Sequence, residues 1–349
     1  MAAQRPSVVS VEEIARVCAR GLDATALYQD LLPRLRRQVP FDALCWNTTD
    51  PDTLLATGVR TEHMPEASPA AAARFFENEY VFHDVIKFSA LARRRSPVGI
   101  LSDATGGEPR QSRRYRLING PLGLEHELRT AFVTGGACWA TASFHRQVGA
   151  PDFTPDEAAF LASVSGLVGQ ALRVALLLNR TDATTTATST QESWMSGLVL
   201  LDERYELVSM TPAAQHWLGE LPASDFSADA HATGTAVTPV GASDLSRGRL
   251  PAAVYAVAAS VFALSAPEGK SSHSGGLRPA RVRLQTRSGQ WLILHGADVS
   301  ERGHTPSSTG ERPDQARTDP SNSRRIAVLI EPARPPDVLP LIEQAYGLT

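Results

Sequence analysis

Histidines beside carboxylates are the residues of this sequence that come nearest to acid–base chemistry at neutral pH. Among nine histidines, His83 stands beside Asp84, and His126 stands between Glu125 and Glu127. Adjacent side chains on a helix or strand do not face each other, so neither set is a prepared catalytic pair. The sequence therefore predicts no histidine-based catalytic site, and we expect a protein that is not an enzyme.

Other catalytic and cofactor-binding patterns are also missing from the sequence. It contains no Walker-type phosphate loop, no Gly-x-Gly-x-x-Gly, no His-Glu-x-x-His, no Cys-x-x-Cys and no Gly-x-Ser-x-Gly. His145 and His295 fall in predicted strands, where we expect them at an edge or on the surface. Cys18, Cys45 and Cys138 are too far apart for a metal site, and their odd number argues against a disulfide framework. We predict free thiols in a reducing compartment, no metal and no cofactor.

Composition and charge place the chain among ordinary globular proteins. It has 349 residues, 42% hydrophobic and 20% charged, and at roughly 100–200 residues per domain this length predicts two domains. A net charge of −3 argues against a chain that wraps nucleic acid or an anionic membrane by charge alone. Residues 158–178 are the longest apolar stretch, and interrupting polar residues predict that it is too polar to cross a bilayer. With no secretory signal visible, we expect a cytoplasmic protein.

Helices and strands alternate along the first half. Apolar residues at three- and four-residue spacing predict helical structure over 11–39, beginning at the N-cap Ser10. Alternating and buried apolar runs predict strands at 41–47, 54–59, 128–133 and 137–144. Thr154 and Glu157 have capping-box spacing and open a predicted helix that runs to about residue 180.

A threonine-rich segment at 181–192 has no bulky apolar group and is predicted to be a linker. We therefore predict one domain at 1–180 and a second at 193–332, with a disordered loop at 300–325. The second domain has predicted strands at 197–202, 206–210, 280–284, 290–295 and 326–330, and a helix that begins at Pro251. The predicted fold class is α+β, with two domains that each contain a central antiparallel sheet flanked by helices.

Two clusters of arginine are the remaining charged features. One is the run 93–95, and the other is the set Arg110, Arg113, Arg114 and Arg116. The plainer interpretation is a solvated surface, and the alternative is contact with an acidic partner, a phosphorylated ligand or DNA phosphate. Aromatic residues do not alternate with these arginines, so the sequence does not predict a surface for stacking bases.

Three segments of the first half carry a family resemblance: FDALCWNTTDPDTLLATG at 41–58, SPVGILSDATGG at 96–107, and ACWATASFHR with FTPDEAAFLA within 137–162. Together they resemble a GAF domain, and in particular the GAF-like region of actinobacterial LuxR-type transcription regulators. Ala140 stands where that pattern has glycine. The motif of cyclic-nucleotide-binding GAF domains is not evident, so the resemblance implies no cyclic nucleotide ligand.

The second half carries a different resemblance. GLVLLDERYELVSMTPAAQHWLGEL at 197–221 and RVRLQTRSGQWLILHGADV at 281–299 resemble a PAS domain. PPDVLPLIEQAYGLT at the end resembles the short helix that precedes the DNA-reading domain of LuxR-type regulators. Segment 333–349 is therefore interpreted as leading toward a helix-turn-helix that these residues do not include, and DNA binding is implied only through that family domain.

The resemblance implies a cavity that could take a small-molecule effector. Large or polarisable residues on or near the predicted sheet are the candidate pocket residues: Cys45, Trp46, Phe82, Phe132 and Trp139. Plain core packing is the alternative for all five. If the cavities are filled, the chain would instead be a stand-alone dimerisation or partner-binding module.

A heptad seam follows the predicted helix that joins the two halves. It consists of Phe160, Val164, Leu167, Ala171, Val174 and Leu178. If it is exposed, this seam predicts a homodimer contact. The alternative is that the same residues pack on the chain's own sheet, and a second apolar stripe on the helix would let one stripe pack inward while the other pairs.

Overall fold

Two five-stranded antiparallel sheets organise the chain, one in each half, and helices flank both. The computed structural model describes residues 10–64, 69–178, 196–221, 245, 249–265, 280–299 and 324–346. The predicted α+β class is confirmed. The predicted linker at 181–192 and residues 300–323 of the predicted loop lie outside the described residues, so the domain limits remain predictions.

The first sheet has the strand order β2-β1-β5-β4-β3. The elements of this half are α1 (Val11–Cys18), α2 (Ala24–Gln38), β1 (Ala43–Thr49), β2 (Ala56–Glu62), α3 (Pro69–Tyr80), α4 (Phe88–Leu91), β3 (Val98–Ile100), α5 (Leu101–Ala104), β4 (Leu124–Thr134), β5 (Ala137–Gln147) and α6 (Pro155–Leu178). Short 3-10 and π turns connect α5 to β4.

The second sheet has the strand order β7-β6-β10-β9-β8. Its half contains β6 (Gly197–Leu201), β7 (Leu207–Met210), α7 (Pro212–Gly219), α8 (Ala252–Ser265), β8 (Arg281–Gln285), β9 (Trp291–Asp298), β10 (Ile326–Pro332) and α9 (Pro335–Tyr346). In both sheets the last strand of the half lies in the centre, between the first and the fourth. The two halves therefore share one topology, although the sequence shows no internal repeat.

Helix starts follow the local chemistry that the sequence predicts. The Ser10 hydroxyl accepts a hydrogen bond from the Glu13 backbone N–H at 3.2 Å. The capping box is formed: the Glu157 N–H donates to the Thr154 hydroxyl at 3.2 Å, and the Thr154 N–H donates to the Glu157 carboxylate at 2.8 Å. Both caps satisfy backbone donors that a helix leaves unpaired in its first turn, which fixes where α1 and α6 begin.

Helix α6 packs on the first sheet through the stripe of buried residues Leu161, Val164, Val168, Leu172 and Ala175. By length and composition alone, Pro155–Leu176 is apolar enough to cross a membrane, so the prediction that its polar residues rule this out was wrong. Half of that segment's most apolar window is buried inside the protein. Packing against the sheet therefore accounts for its apolar composition.

Helix α8 lies in the core between the two halves. On one side it packs on β9 and β10, and on the other it packs on α3 and β2 of the first half. Its residues 252–260 are all buried, as expected for a helix that is apolar on every face. One hydrophobic cluster consequently contains residues of both halves, including Phe76 and Val59 from the first and Val257 and Val328 from the second.

Helix α9 returns to the first half. Its Leu341 and Ala345 are buried in the cluster that also holds residues of α1, α2 and α6. The described part of the segment 333–349 packs along α6. That this segment leads toward a further domain stays a prediction.

Candidate functional site

The two faces of the first sheet differ in chemistry. One face is apolar and packs on α1, α2 and α6 through residues such as Trp46, Leu128 and Phe144. The opposite face carries a row of polar side chains that are all buried: Asn47, Glu127, Arg129, Thr141, Ser143 and His145. Side chains alternate along a strand, so the sequence places both sets on the same strands. A buried polar face is costly unless each group is paired, which makes its contacts the natural place to look for function.

Glu127 forms a buried ion pair with Arg114 on this face. The Arg114 Nε and Nη2 atoms donate to the Glu127 carboxylate at 2.9 and 2.7 Å, a two-point contact between residues that are both 1% exposed. Asp84 accepts the Arg114 backbone N–H at 2.7 Å and so anchors the loop that carries Arg114. Burial alone would raise the pKa of Glu127, but Arg114 and Arg129 outweigh it and hold that pKa at about 2.

Arg129 connects the sheet to the elements that cover it. Its guanidinium donates to the Glu79 carboxylate at 2.8 Å and to the Ile86 carbonyl at 3.0 Å, and it lies 3.5 Å from the centre of the Phe88 ring. Glu79 in turn accepts the Phe88 N–H at 2.7 Å. α3 and the start of α4 are thereby fixed over the polar face by charge-assisted hydrogen bonds.

His145 lies opposite Glu127 in the β4–β5 pairing and is buried. Its Nδ1 atom has no hydrogen-bond partner within the part of the chain that the structure describes. Burial lowers the pKa of His145 to about 4, although the Glu127 carboxylate opposes this. His145 is therefore neutral at physiological pH.

The burial of neutral His145 predicts that the free energy of unfolding falls with pH already above the range in which most carboxylates titrate. The neutral form of His145 is favoured in the folded protein, so unfolding takes up a proton at any pH between about 6.5 and 4 and stability falls as the pH falls through that window. We expect the free energy of unfolding to drop by roughly 2 kcal/mol between pH 7 and pH 5 from this group. Urea unfolding at both pH values measures the drop.

The control for this experiment is a second histidine on the neighbouring strand. His145→Gln should remove most of the drop, whereas His126→Gln, at a partly exposed histidine 3.3 Å from Asp152, should leave it in place. An equal drop in the His145→Gln protein and in the parent would contradict the assignment.

A cavity adjoins this charged network beside Glu79. Hydroxyl and amide groups of the sheet form its floor (Asn47, Thr49 and Thr141), aromatic rings form its walls (Phe75, Phe76 and Phe88), and α8 closes it with Ser260, Ala263 and Leu264. The exposed Arg93 lies at its rim. The cavity has a volume of about 40 Å³, which gives room for about three waters at 10–15 Å³ each.

The predicted pocket residues lie at three different places. Trp46, Phe132 and Trp139 belong to the apolar face, where the Trp46 and Phe132 rings stack at 4.6 Å. Cys45 lies on the polar face, where its thiol donates to Asn47 at 3.8 Å. Phe82 lies in the covering segment, under the Arg113 guanidinium at 3.7 Å. None of the five lines the cavity described above, and their role in a ligand pocket remains a prediction.

Two expectations about charged residues were wrong. Arg114 belongs to a cluster interpreted as solvated surface or as a contact for an anion, yet it is 1% exposed and paired with Glu127. His145 was expected at an edge or on the surface, yet β4 and β1 flank it on both sides. The run 93–95 is exposed as the solvated-surface interpretation requires.

The sequence analysis did not identify Glu79 or Arg129, and it named Asp84 only as a neighbour of His83. A signal for Arg129 was present, because Glu127 and Arg129 alternate with Leu128 in a strand and so must lie on one face together. Two opposite charges on one face of a central strand indicate a buried pair rather than a surface.

The heptad seam of α6 is divided by the fold. Val164 and Ala171 are buried in the chain's own core, so they cannot contact a partner without unpacking it. Phe160, Leu167 and Val174 are partly exposed. The Leu178 side chain lies outside the described residues, and a dimer remains a prediction.

The described part of the chain contains no group of three or more His, Cys, Asp or Glu side chains that could hold a metal ion. The thiols are also unreactive at neutral pH, because burial raises the pKa of Cys45 and of Cys138 to about 12 and that of Cys18 to about 11. What the described groups of the site do is hold opposite charges in fixed pairs.

Comparison with known proteins gives structural likeness only. No protein-family model matches the chain, and no curated protein matches it. Among solved structures, the VqsR LBD domain from Pseudomonas aeruginosa is 14% identical and matches 48% of this chain and 96% of that chain, with a TM-score of 0.34.

Two other solved structures show similar levels of likeness. The cyanobacteriochrome TePixJ GAF domain is 14% identical over 51% of this chain and 98% of that chain, with a TM-score of 0.27. The phytochrome photosensory core module of Stigmatella aurantiaca is 13% identical over 60% of this chain and 50% of that chain, with a TM-score of 0.33. With all three TM-scores below 0.5, this likeness does not decide what the chain binds or does.

Proposed function

We propose that the chain is a sensory and regulatory module in which a small effector occupies the cavity between the first sheet, α3 and α8. One observation carries the proposal: the walls of the cavity come from both halves of the chain. An occupant therefore contacts both halves at once. A ligand shifts a conformational equilibrium only if it binds two conformations with different affinity, and a relative movement of the two halves would change the walls that such a ligand contacts.

The size of the cavity limits its occupant. With room for about three waters, it accepts a solute of a few heavy atoms without rearrangement. Hydroxyl and amide groups on its floor suit a hydrogen-bonding solute, and the Phe75 and Phe76 rings suit an apolar edge on the same molecule. A larger effector requires α8 or α3 to move outward.

The finer assignment rests on the sequence resemblance. We propose that the chain is related to LuxR-type transcription regulators, with a GAF-like and a PAS-like unit, that it acts in the cytoplasm, and that DNA is contacted only through a family domain outside these residues. We also propose that it senses without catalysis. Groups held as rigidly as Arg114, Glu127 and Arg129 are already paired with one another, which suits a structural role better than acid–base catalysis.

A metabolite titration tests the effector. We expect at least one small polar compound to raise the unfolding temperature and change tryptophan fluorescence, since a ligand at 100 times its Kd stabilises the folded state by about 2.7 kcal/mol. Ala263→Leu, which fills the cavity from α8, should abolish that shift, and Val208→Leu at an exposed position of β7 should retain it. If no compound shifts either signal in the parent protein, the proposal fails.

A second candidate function is a dimerisation module, and one stripe of α6 favours it. Phe160, Leu167 and Val174 are each one heptad apart and partly exposed. We expect the parent protein to be a dimer by light scattering at micromolar concentration, and Leu167→Glu to shift it to the monomer mass by placing a charge in the contact.

The control for the dimer is Ala159→Glu, which adds the same charge at an exposed position of the same helix and should leave the dimer intact. A parent protein that has the monomer mass at all concentrations would exclude this contact.

A further inference from the structure

Helix α8 separates the cavity from the second sheet. Ser260, Ala263 and Leu264 face the cavity. Val257 and Val261, one turn apart on an adjacent face of the same helix, lie against Gly296 in β9. The same two turns of helix, residues 257–264, therefore contact the cavity and the second sheet.

Gly296 lets α8 approach β9 more closely than any other residue would. A Cβ atom at this position would lie 2.4 Å from the Val261 Cγ2 atom and 2.8 Å from the Val257 Cγ1 atom, distances that real Cβ atoms do not adopt. Glycine inside a strand commonly marks such a close approach. The missing side chain of Gly296 thus sets how far α8 stands from the second sheet.

Because α8 is buried, its contact with Gly296 couples the cavity to the second sheet. Its residues 252–260 are buried between β9 and β10 on one side and α3 and β2 on the other. Close-packed interiors do not compress, so a helix held on both sides moves only if a neighbour moves with it. A change in the width of the cavity must then appear at the contact between α8 and Gly296.

We propose that α8 is the element through which occupancy of the cavity reaches the second sheet, and that Gly296 is the positioning residue that sets the width of the cavity from its far side. The proposal rests on the proposed function for the existence of an effector. The coupling itself concerns only α8, Gly296 and the cavity wall, and by linkage it acts in both directions.

A thiol placed in the cavity wall reports the coupling without any natural ligand. Ser260→Cys, made in a Cys18→Ser background, introduces this thiol at position 260. It is alkylated with iodoacetamide, and the rate is followed by mass spectrometry with buried Cys138 as the internal reference. Gly296→Ala pushes α8 toward α3, and we expect it to slow alkylation of the introduced thiol at least fivefold.

A second glycine in the same sheet supplies the matched control. A Cβ atom at Gly197 would lie 2.5 Å from the Ala214 Cα atom of α7, so Gly197→Ala strains a different helix of the same sheet. It should leave the alkylation rate of the introduced thiol within twofold of the parent. A slowing of fivefold or more confined to Gly296→Ala supports the proposal, and a smaller slowing, an acceleration, or an equal change in both variants overturns it.

A compensating variant separates positioning from general damage. Gly296→Ala combined with Val257→Ala and Val261→Ala removes both methyl groups that the new Cβ meets, and it should restore the parental alkylation rate at position 260. If Gly296→Ala alone does not fold, Val261→Ala alone allows α8 to settle toward β9 and should raise the rate at least twofold. An unchanged rate in that variant overturns the proposal.

The alkylated protein tests the coupling in the opposite direction, from the cavity to the second sheet. With the introduced thiol carrying the carbamidomethyl group in the cavity, amide hydrogen exchange in β9 and β10 should change at least threefold, while exchange in β3 stays constant. Unchanged exchange in β9 and β10 overturns the relay. A metabolite screen that finds no effector would refute the proposed function and leave these results standing, so the two failures are distinguishable.

Discussion

Arg283→Met is expected to lower the free energy of unfolding by about 3–5 kcal/mol, the usual cost of leaving one member of a buried ion pair without its partner. Arg283 in β8 donates through Nε and Nη2 to the Asp50 carboxylate at 2.9 and 2.8 Å, and its backbone N–H donates to the same carboxylate at 2.9 Å. Both side chains are 1% exposed. Asp50 belongs to the turn between β1 and β2, so this pair joins the two halves, and its loss affects both.

The effect is measured by urea unfolding at pH 7, with two controls. Arg281→Met removes a partly exposed arginine from the same strand and should change stability by less than about 0.5 kcal/mol, as surface substitutions do. Asp50→Leu combined with Arg283→Met replaces the pair with apolar groups and should recover much of the loss. If the Arg283→Met protein is as stable as the parent, the stability of the two halves does not depend on this ion pair.

The Asp50–Arg283 pair also shows where the sequence stops being informative. The two residues are 233 positions apart. No sequence pattern around either residue predicts that the other one is its ion-pair partner. The sequence predicted two separate units joined by a helix and a linker. The structure adds an interface with a buried ion pair, a shared helix and a shared cavity, and all of these depend on contacts between distant residues.

The spacing of apolar residues predicted helices and strands well where those residues recur at regular intervals. The hairpin of β4 and β5, the capped start of α6 and the strands of the second sheet all follow from alternation and turn residues. The predicted strand at 128–133 is observed as Leu124–Thr134. Its first four residues were missed because 125–127 are Glu, His and Glu, which are not expected in a strand of the core. Strand β3 is three residues long and was missed, since so short a segment has no measurable periodicity.

The pocket residues were harder to predict for a physical reason. Aromatic residues on a sheet pack on whichever face is apolar, so Trp46 and Phe132 occupy the core instead of a cavity. The polar face is identified only by charges that the fold itself pairs, and the charged residues that cover it come from α3 and from the loop before β4. Sequence alone gives the strand that holds Arg129 but not the Glu79 that meets it.

Glu127→Gln is expected to lower the free energy of unfolding by about 3–5 kcal/mol, because it leaves Arg114 with a neutral partner in a fully buried site. The pKa of Glu127 is depressed in the same sense, because Arg114 and Arg129 stabilise its charged form. It is about 2 in the folded protein against 4.5 ordinarily, and each unit of such a difference is equivalent to about 1.4 kcal/mol. A depressed carboxyl pKa stabilises the folded state above pH 4.5 and loses that contribution as the pH falls toward 2.

Two measurements together distinguish the loss of the Glu127 charge from a general effect of replacing Glu by Gln in this strand. Glu125→Gln makes the same change two residues earlier in β4, at a partly exposed side chain, and should leave stability within about 0.5 kcal/mol of the parent. The Glu127→Gln protein should also lose less stability than the parent between pH 4.5 and pH 2, because the group that titrates there is gone. If Glu127→Gln were mild at pH 7 and kept the parental acid slope, the network around Arg114 would not hold α3 and α4 over the sheet, and the cavity beside Glu79 would have no rigid wall.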